Sequence, residues 1–170
     1  MNTNRPKIKV PLKPLDIVLD ITSASIILMA ITYTVINYSN LPDTIPLHFN
    51  FQGEADNYGD KSTILWLPIL NVGLFFLLYA LTKFPHVHNY MVNITQENAL
   101  KNYRFSIRIL RFTNLFLAIL FAFIQFKIIQ LAKMEKHDWS MGNWFAPAII
   151  VISILLPIAL FIYNHKLNKK

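Results

Sequence analysis

The residues best suited to chemistry lie in one polar stretch between two long apolar segments. Residues 39–62 contain His48, Asn50 and four acidic side chains, those of Asp43, Glu54, Asp56 and Asp60. One imidazole and several carboxylates would suit zinc or another divalent ion if the stretch folds back on itself. The spacing matches neither an HExxH motif nor an EF-hand loop. We therefore favour the simpler interpretation, in which these side chains bond the loop itself or face water.

The candidate binding residues in this stretch are Asp43, His48, Asn50 and Asp56. The sequence contains no nucleophile and base at a meaningful spacing and no complete set of metal ligands. It has no cysteine, which excludes disulfides and thiolate chemistry. We accordingly expect a protein that is not an enzyme and has no cofactor.

The local pattern of this stretch indicates a short strand followed by a turn. Apolar and polar residues alternate from position 45 to 52, with Ile45, Leu47, Phe49 and Phe51 on one face. Gly53 and Gly59 then punctuate the polar, acidic part, which reads as a turn. We expect the apolar face to lie against helix ends or the membrane surface, because a lone strand is not stable.

The elements that must position this loop are membrane helices. Of the 170 residues, 54% are hydrophobic and only 15% are charged, which is too apolar for an ordinary water-soluble domain and excludes a disordered chain. Four runs approach the ~20 residues needed to cross a bilayer as a helix. They cover residues 17–38, 63–82, 107–131 and 144–163, within a single membrane domain of residues 1–170.

The distribution of basic residues predicts the orientation of these spans. The N-terminal arm, residues 83–111 and the C-terminal tail hold twelve Lys and Arg, whereas the other two connections and their flanks hold four. The positive-inside rule therefore places both termini and the 83–106 loop in the cytoplasm, and the 39–62 loop outside. Trp66, Trp139 and Trp144 all fall at the outer face, as interfacial indoles do. The net charge of +7 then indicates contact with anionic lipid rather than with nucleic acid.

Two polar residues in the spans are candidates for a role of their own. Asp20 lies near the inner end of the first span, where an ionisable group needs a partner, and Arg108 or Arg111 enters the membrane at the same level. Asn71 in the second span is a polar group of the kind that bonds across helices. Structural contacts between helices are the favoured interpretation for both, over an ion or proton pathway.

A basic stripe precedes the third span. Lys101, Arg104, Arg108 and Arg111 follow one another at spacings of 3, 4 and 3, which places them on one face of a helix that we expect to begin near Gln96. Such a stripe usually meets lipid phosphates. The alternative is a docking surface for a cytoplasmic regulator.

The loop also carries a recognisable signature. Leu41-Pro-Asp-x-Ile-Pro-x-His-Phe-Asn-x-x-Gly-x-x-Asp-x-x-Gly-x-Lys61 resembles the pattern of a family of bacterial membrane proteins known as domain of unknown function 1648, DUF1648. That family includes immunity proteins of cannibalism-toxin systems, which protect their producers from a secreted peptide and sequester a repressor at the membrane. The resemblance implies a multi-pass protein of the bacterial inner membrane, with an extracellular peptide and a cytoplasmic regulator as partners.

The sequence thus predicts an all-α integral membrane protein, a four-transmembrane-helix bundle with both termini inside and one ordered extracytoplasmic loop. Three classes of function remain open. The first is toxin-peptide immunity or envelope sensing through residues 41–61. The second is a structural or assembly subunit without its own ligand, and the third, which ranks last, is a metal-dependent membrane enzyme. The bilayer is the one partner common to all three, and neither helix order nor oligomeric state follows from the sequence.

Overall fold

The computed structural model describes residues 5–134 and 140–169. Helix α1 (Pro14–Tyr38) is followed by strands β1 (Thr44–Phe49) and β2 (Ala55–Asp60). A 3₁₀ turn (Lys61–Leu65) leads into α2 (Trp66–Leu81), and a second one (Pro85–Val87) precedes α3 (Ala99–Ala132) and α4 (Phe145–Asn168). Of the residues to which the expectations above refer, Trp139 lies outside the described ranges.

In the described ranges, four helical segments are long and apolar enough to cross a membrane, as predicted. They are 25, 21, 34 and 24 residues long, with α2 counted together with the 3₁₀ turn before it. At ~1.5 Å per residue, α3 is about 50 Å long and so exceeds the ~30 Å hydrocarbon layer by several turns. The composition and the helices together indicate a multi-pass membrane protein.

The start of α1 lies three residues before the predicted boundary for a local reason. Pro14 occupies the first helical turn, where its missing N–H costs nothing. The Asp16 carboxylate accepts a hydrogen bond from the Lys13 backbone N–H at 2.8 Å, as in one half of a capping box. The regular part of helix α3 begins at Ala99, three residues after the predicted start near Gln96. A turn precedes it at the predicted position, in which Thr95 N donates to Asn98 Oδ1 and Ala99 N donates to Thr95 O.

The expectation of an all-α fold is wrong in one respect, since β1 and β2 pair as an antiparallel sheet. The acidic stretch predicted as a turn is largely the second strand. Its residues have low strand propensity and no apolar alternation, so the sequence pattern does not reveal it. Pairing with β1 satisfies the backbone of both strands, which outweighs that propensity.

The predicted apolar face of β1 is also only partly formed. Ile45 is fully buried, but so is Pro46 from the opposite set, while Leu47 and Phe51 are exposed. The register is irregular between Pro46 and His48 and again between His48 and Phe49. Each such irregularity shifts the alternation of side chains, so that no continuous apolar face results.

The chain divides into two compact units. The first contains α1 as far as Ile36 together with Ile64–Phe126, and the second contains Asn37–Thr63 and the chain from Lys127 onward. In the first unit, the buried residues Ile94, Ala99 and Tyr103 form a cluster. Partly buried residues of the N-terminal arm and of the connection before α3 pack against this cluster.

That arm is held by hydrogen bonds as well. Tyr103 donates its hydroxyl to Pro6 O at 2.9 Å, and Arg5 donates to the carbonyls of His86 and His88. Burial raises the pKa of Tyr90 to about 12. Its hydroxyl therefore stays protonated and donates to Pro85 O at 2.7 Å.

Polar contacts link α1 and α2 to α3 inside the same unit. Arg111 Nε donates to both carboxylate oxygens of Asp20, at 2.9 and 3.0 Å. Arg108 Nε donates to Asp16 Oδ1 at 3.3 Å. Farther along, Gln125 Nε2 donates to Thr34 Oγ1 at 2.6 Å, and Asn114 Nδ2 donates to the Phe75 carbonyl at 3.2 Å. The pair that the sequence predicted for Asp20 is present, and Arg111 is its partner.

In the second unit, the turn between β1 and β2 contacts the segment before α4. Met141 N donates to Gly53 O at 2.6 Å, and Glu54 and Ser140 form an isolated antiparallel bridge. Gly53 has a φ of 82°, and a Cβ added there would lie 2.5 Å from the backbone oxygen of Gly142. Both the backbone conformation and the close approach therefore require glycine at position 53.

Replacing Asp20 by Asn should destabilise the protein strongly, because Arg111 is only 3% exposed and would lose its counter-charge. Removing one partner of a buried ion pair costs about 3–5 kcal/mol. Unfolding of the purified protein in mixed detergent micelles, followed by circular dichroism, measures the change. Glu97→Gln, which neutralises an exposed carboxylate, is the matched control and should leave the unfolding curve in place. Equal curves for the two variants would show that the pair contributes nothing.

Gly53→Ala should loosen the turn, because a left-handed backbone alone costs an L-residue about 1–2 kcal/mol and the Gly142 contact adds to that cost. Gly73→Ala is the control, since no atom lies within 4 Å of its added Cβ and alanine favours a helix. Limited proteolysis of the folded protein should cut residues 50–56 faster in Gly53→Ala only. Unchanged cleavage in that variant would contradict the requirement for glycine.

Candidate functional site

The hairpin of β1, β2 and their turn brings together most of the residues that the sequence singled out. Asn50 organises the turn, because its Oδ1 accepts a hydrogen bond from Glu54 N at 2.9 Å and its Nδ2 donates to Glu54 Oε2 at 3.0 Å. Two backbone bonds complete the loop, from Asn50 N to Glu54 O and from Gly53 N to Asn50 O. Asn50 is thus part of the scaffold of the turn.

His48 and Asp56 meet across the two strands. His48 Nδ1 lies 2.5 Å from Asp56 Oδ1, at a place where the register of the two strands is irregular on both sides of His48. Their side chains are 66% and 43% exposed, so the pair is on the surface of the hairpin. Each group has a second polar atom, His48 Nε2 and the other oxygen of Asp56, and neither of these atoms has a hydrogen-bond partner within residues 5–134 and 140–169.

The other two carboxylates are engaged elsewhere in the hairpin. Asp43 pairs with Lys61 Nζ at 3.0 Å and accepts the Lys61 backbone N–H at its carbonyl. Asp60 Oδ1 accepts a hydrogen bond from Ser62 N at 2.8 Å at the start of the 3₁₀ turn. Hydrogen bonding from the Ser62 side chain and backbone lowers the pKa of Asp60 below its usual value. Asp60 therefore caps the turn as an ionised carboxylate.

The ligand set considered for a metal is consequently not assembled. His48 has one carboxylate beside it, whereas Asp43 and Asp60 are occupied by Lys61 and Ser62. Over residues 5–134 and 140–169, no three His, Asp or Glu side chains come together as a metal site. The hairpin can offer hydrogen bonds and negative charge to a partner.

The remaining predicted residues lie in the first unit. Asn71 is buried, and none of the described residues bonds its Nδ2. The basic stripe is not one solvated face, because Arg108 and Arg111 pair with Asp16 and Asp20. The other two members differ from each other, since Lys101 is exposed whereas Arg104 has a buried Nε without a partner among the described residues.

Several contacts that form the hairpin turn were not identified from the sequence. The partner of Asn50 is Glu54, and Gly53 and Met141 join the turn to the segment before α4. The signal for Glu54 was present, because an Asn four residues before an acidic residue across a Gly-containing turn is suited to side-chain bonding within the loop. No local signal indicated Met141, since that contact joins positions 88 residues apart.

Comparison with known proteins supports the resemblance seen in the loop. Residues 25–72 match the family model described as domain of unknown function (DUF1648). An uncharacterised protein of Archaeoglobus fulgidus is 44% identical over 36 residues, which are 21% of this chain and 20% of that protein. The aligned region thus spans about a fifth of that relative's length. No solved structure matches the chain. The match to the family model covers the second half of α1, the hairpin and the first part of α2.

Proposed function

We propose that the chain is a multi-pass protein of the cell membrane with both termini and the connection before α3 in the cytoplasm, and with the hairpin outside. The excess of Lys and Arg on the proposed inner segments supports this orientation. Contacts inside each unit also join segments that this orientation places on the same side of the membrane. Arg5 and Pro6 of the N-terminal arm bond residues 86, 88 and 103, whereas Gly53 of the hairpin bonds Met141.

We further propose that the hairpin recognises an extracellular peptide or envelope component, as in toxin immunity or envelope sensing. The observation that carries this proposal is the exposed His48–Asp56 pair on a hairpin whose other polar groups are largely bonded internally. A rigid surface with a few free polar atoms is suited to binding, because little conformational entropy is lost when a partner docks.

The surface chemistry of the hairpin favours a cationic, amphipathic partner. Residues 39–62 carry four acidic side chains and one lysine, in a protein whose total charge is +7. Phe51 at the turn is 59% exposed, and Leu47 and Tyr58 are also exposed. Acidic groups attract a cationic peptide, and aromatic groups beside them supply apolar contact area. This combination is the physical basis for proposing a peptide ligand.

A structural role is the second candidate, and one specific observation favours it. Most signature residues have a task within the protein: Leu41 and Ile45 are buried, Gly53 adopts a positive φ, and Asp43 pairs with Lys61. Under this proposal the hairpin stabilises the connection between α1 and α2, and the His48–Asp56 pair has no ligand. A role as a metal-dependent enzyme has no comparable support.

The ion pairs reduce the positive charge that a cytoplasmic regulator could bind on the basic stripe. Arg108 and Arg111 bind acidic residues of α1, so that less of their charge is available to a partner. A regulator would have to dock on exposed cations near the start of α3 and on the arm, namely Lys7, Lys9 and Lys101.

The orientation can be tested by cysteine labelling, because the chain has no cysteine of its own. Gln52→Cys in the hairpin turn and Glu97→Cys before α3 are both exposed positions. A membrane-impermeant maleimide should label Gln52→Cys in intact cells and Glu97→Cys only after permeabilisation. The opposite pattern, or labelling of both in intact cells, would contradict the proposed topology.

The recognition proposal predicts that a deletion strain becomes sensitive to peptides secreted by the same organism. The wild-type gene should restore resistance, whereas His48→Ala combined with Asp56→Ala should not. Loss of charge-assisted hydrogen bonds worth about 1.5–3 kcal/mol weakens binding about tenfold or more. Gln52→Ala, at an exposed turn position, is the matched control and should restore resistance fully.

Two outcomes would contradict that proposal. Unchanged sensitivity of the deletion strain would contradict immunity. Full resistance with the double variant would contradict recognition by the His48–Asp56 pair and would favour the structural role. Immunoblots of membrane fractions must show equal amounts of each variant, so that lost resistance reflects lost binding.

A further inference from the structure

A basic cavity lies in the first unit where the N-terminal arm, the end of α2 and the start of α3 converge. Its volume is about 200 Å³, which is far more than one ordered water needs. Four cationic residues line the cavity, namely Lys9, Lys83, Arg104 and Arg111. Asp16, which carries a carboxylate, and Thr82 also line it. Apolar residues of the arm, together with Pro85 and Ile107, supply the rest of the lining.

The ion pairs show which of these charges are already neutralised. Asp16 is bound by Arg108, and Arg111 is bound by Asp20. Among the described residues, Lys9, Lys83 and Arg104 form no pair with an acidic side chain. Lys83 instead contacts the hydroxyl and the ring face of Tyr79, a neutral group. Three positive charges from three different chain segments therefore remain uncompensated around one cavity.

Among these three cations, Arg104 has a buried hydrogen-bond donor that no described residue satisfies. Its Nε is buried and has no hydrogen-bond partner in the part of the chain that the structure describes. A buried donor on a charged group without an acceptor costs free energy, and an arginine at such a position is stabilised by an anion that can accept from its planar fork. Phosphate suits this geometry better than a single carboxylate, because its several oxygens can also accept from the two lysines.

We propose that this cavity binds a phosphate group, carried either by the headgroup of an anionic phospholipid or by free phosphate. The three cations that lack acidic partners hold the phosphate oxygens. The apolar side chains of the arm and Ile107 accommodate the part of a lipid that adjoins the headgroup, as basic pockets beside membrane helices do. This site is separate from the hairpin and does not rest on the function proposed for it.

The test uses the full-length protein, delipidated in a neutral detergent, and titration calorimetry with three probes. These are dihexanoylphosphatidylglycerol, inorganic phosphate and dihexanoylglycerol, an amphiphile without phosphate. The wild type should bind phosphatidylglycerol, inorganic phosphate or both, and should bind dihexanoylglycerol at least about tenfold more weakly than phosphatidylglycerol, since the charge-assisted contacts are lost. Binding of phosphatidylglycerol without inorganic phosphate would identify the headgroup as the source. Inorganic phosphate binding as tightly as phosphatidylglycerol, or binding alone, would identify free phosphate.

Variants locate the site. Arg104→Gln should weaken binding of the phosphate probe about tenfold or more. Lys83→Gln, at an exposed position, should weaken it in the same direction. Lys101→Gln removes an equal charge from the exposed surface of the same helix and should change the affinity less than about twofold.

Four results would overturn the proposal. The first three are equal binding of dihexanoylglycerol and phosphatidylglycerol, unchanged binding in both Arg104→Gln and Lys83→Gln, and an equal loss in Lys101→Gln, which would indicate surface charge alone. Failure of the wild type to bind either phosphate probe would also overturn it. Circular dichroism of each variant before titration separates lost binding from lost structure.

Discussion

Two arginine–aspartate pairs join α1 to α3, and the arrangement of charge at this end of the first unit depends on them. Arg108 and Arg111 are one turn apart on α3, and Asp16 and Asp20 are one turn apart on α1. A charge removed from water must be paired, because the cost of leaving it alone exceeds what packing returns. The matching spacing lets both pairs form at once, which restricts how the two helices can rotate against each other.

The same pairing separates the basic residues into two groups. Arg108 and Arg111 become part of the helix contact, whereas Lys9, Lys83 and Arg104 form no pair with an acidic side chain in the part of the chain that the structure describes. Arg104 belongs to the second group although it lies on the same stripe as Arg108 and Arg111. A periodic stripe in a sequence is therefore not one functional surface. Its members differ because the facing helix presents carboxylates at only two levels.

Prediction from the sequence was most successful where a single strong constraint acts. The four spans follow from the need of backbone groups in lipid to bond within their own segment, and that constraint acts on each segment alone. The pairing of Asp20 could also be predicted, because a carboxylate at membrane depth needs a cation. The second strand could not be predicted, since Asp56, Asn57 and Asp60 carry no strand pattern and only the partner β1 makes them extended. The predicted apolar face of β1 is only partly formed, because irregularities in the strand register change the alternation of side chains.

Local composition and spacing are sufficient to predict the membrane character, the approximate positions of the helices and the signature of the hairpin. Which polar side chains bond within the fold and which stay exposed depends on the tertiary structure. Asp43 and Asp60 bond within the hairpin, whereas His48 and Asp56 form an exposed pair. Arg111 is paired with Asp20, whereas Arg104 has no acidic partner among the residues that the structure describes. Those differences depend on partners distant in the chain, and a contact between distant residues leaves no periodic pattern in one sequence.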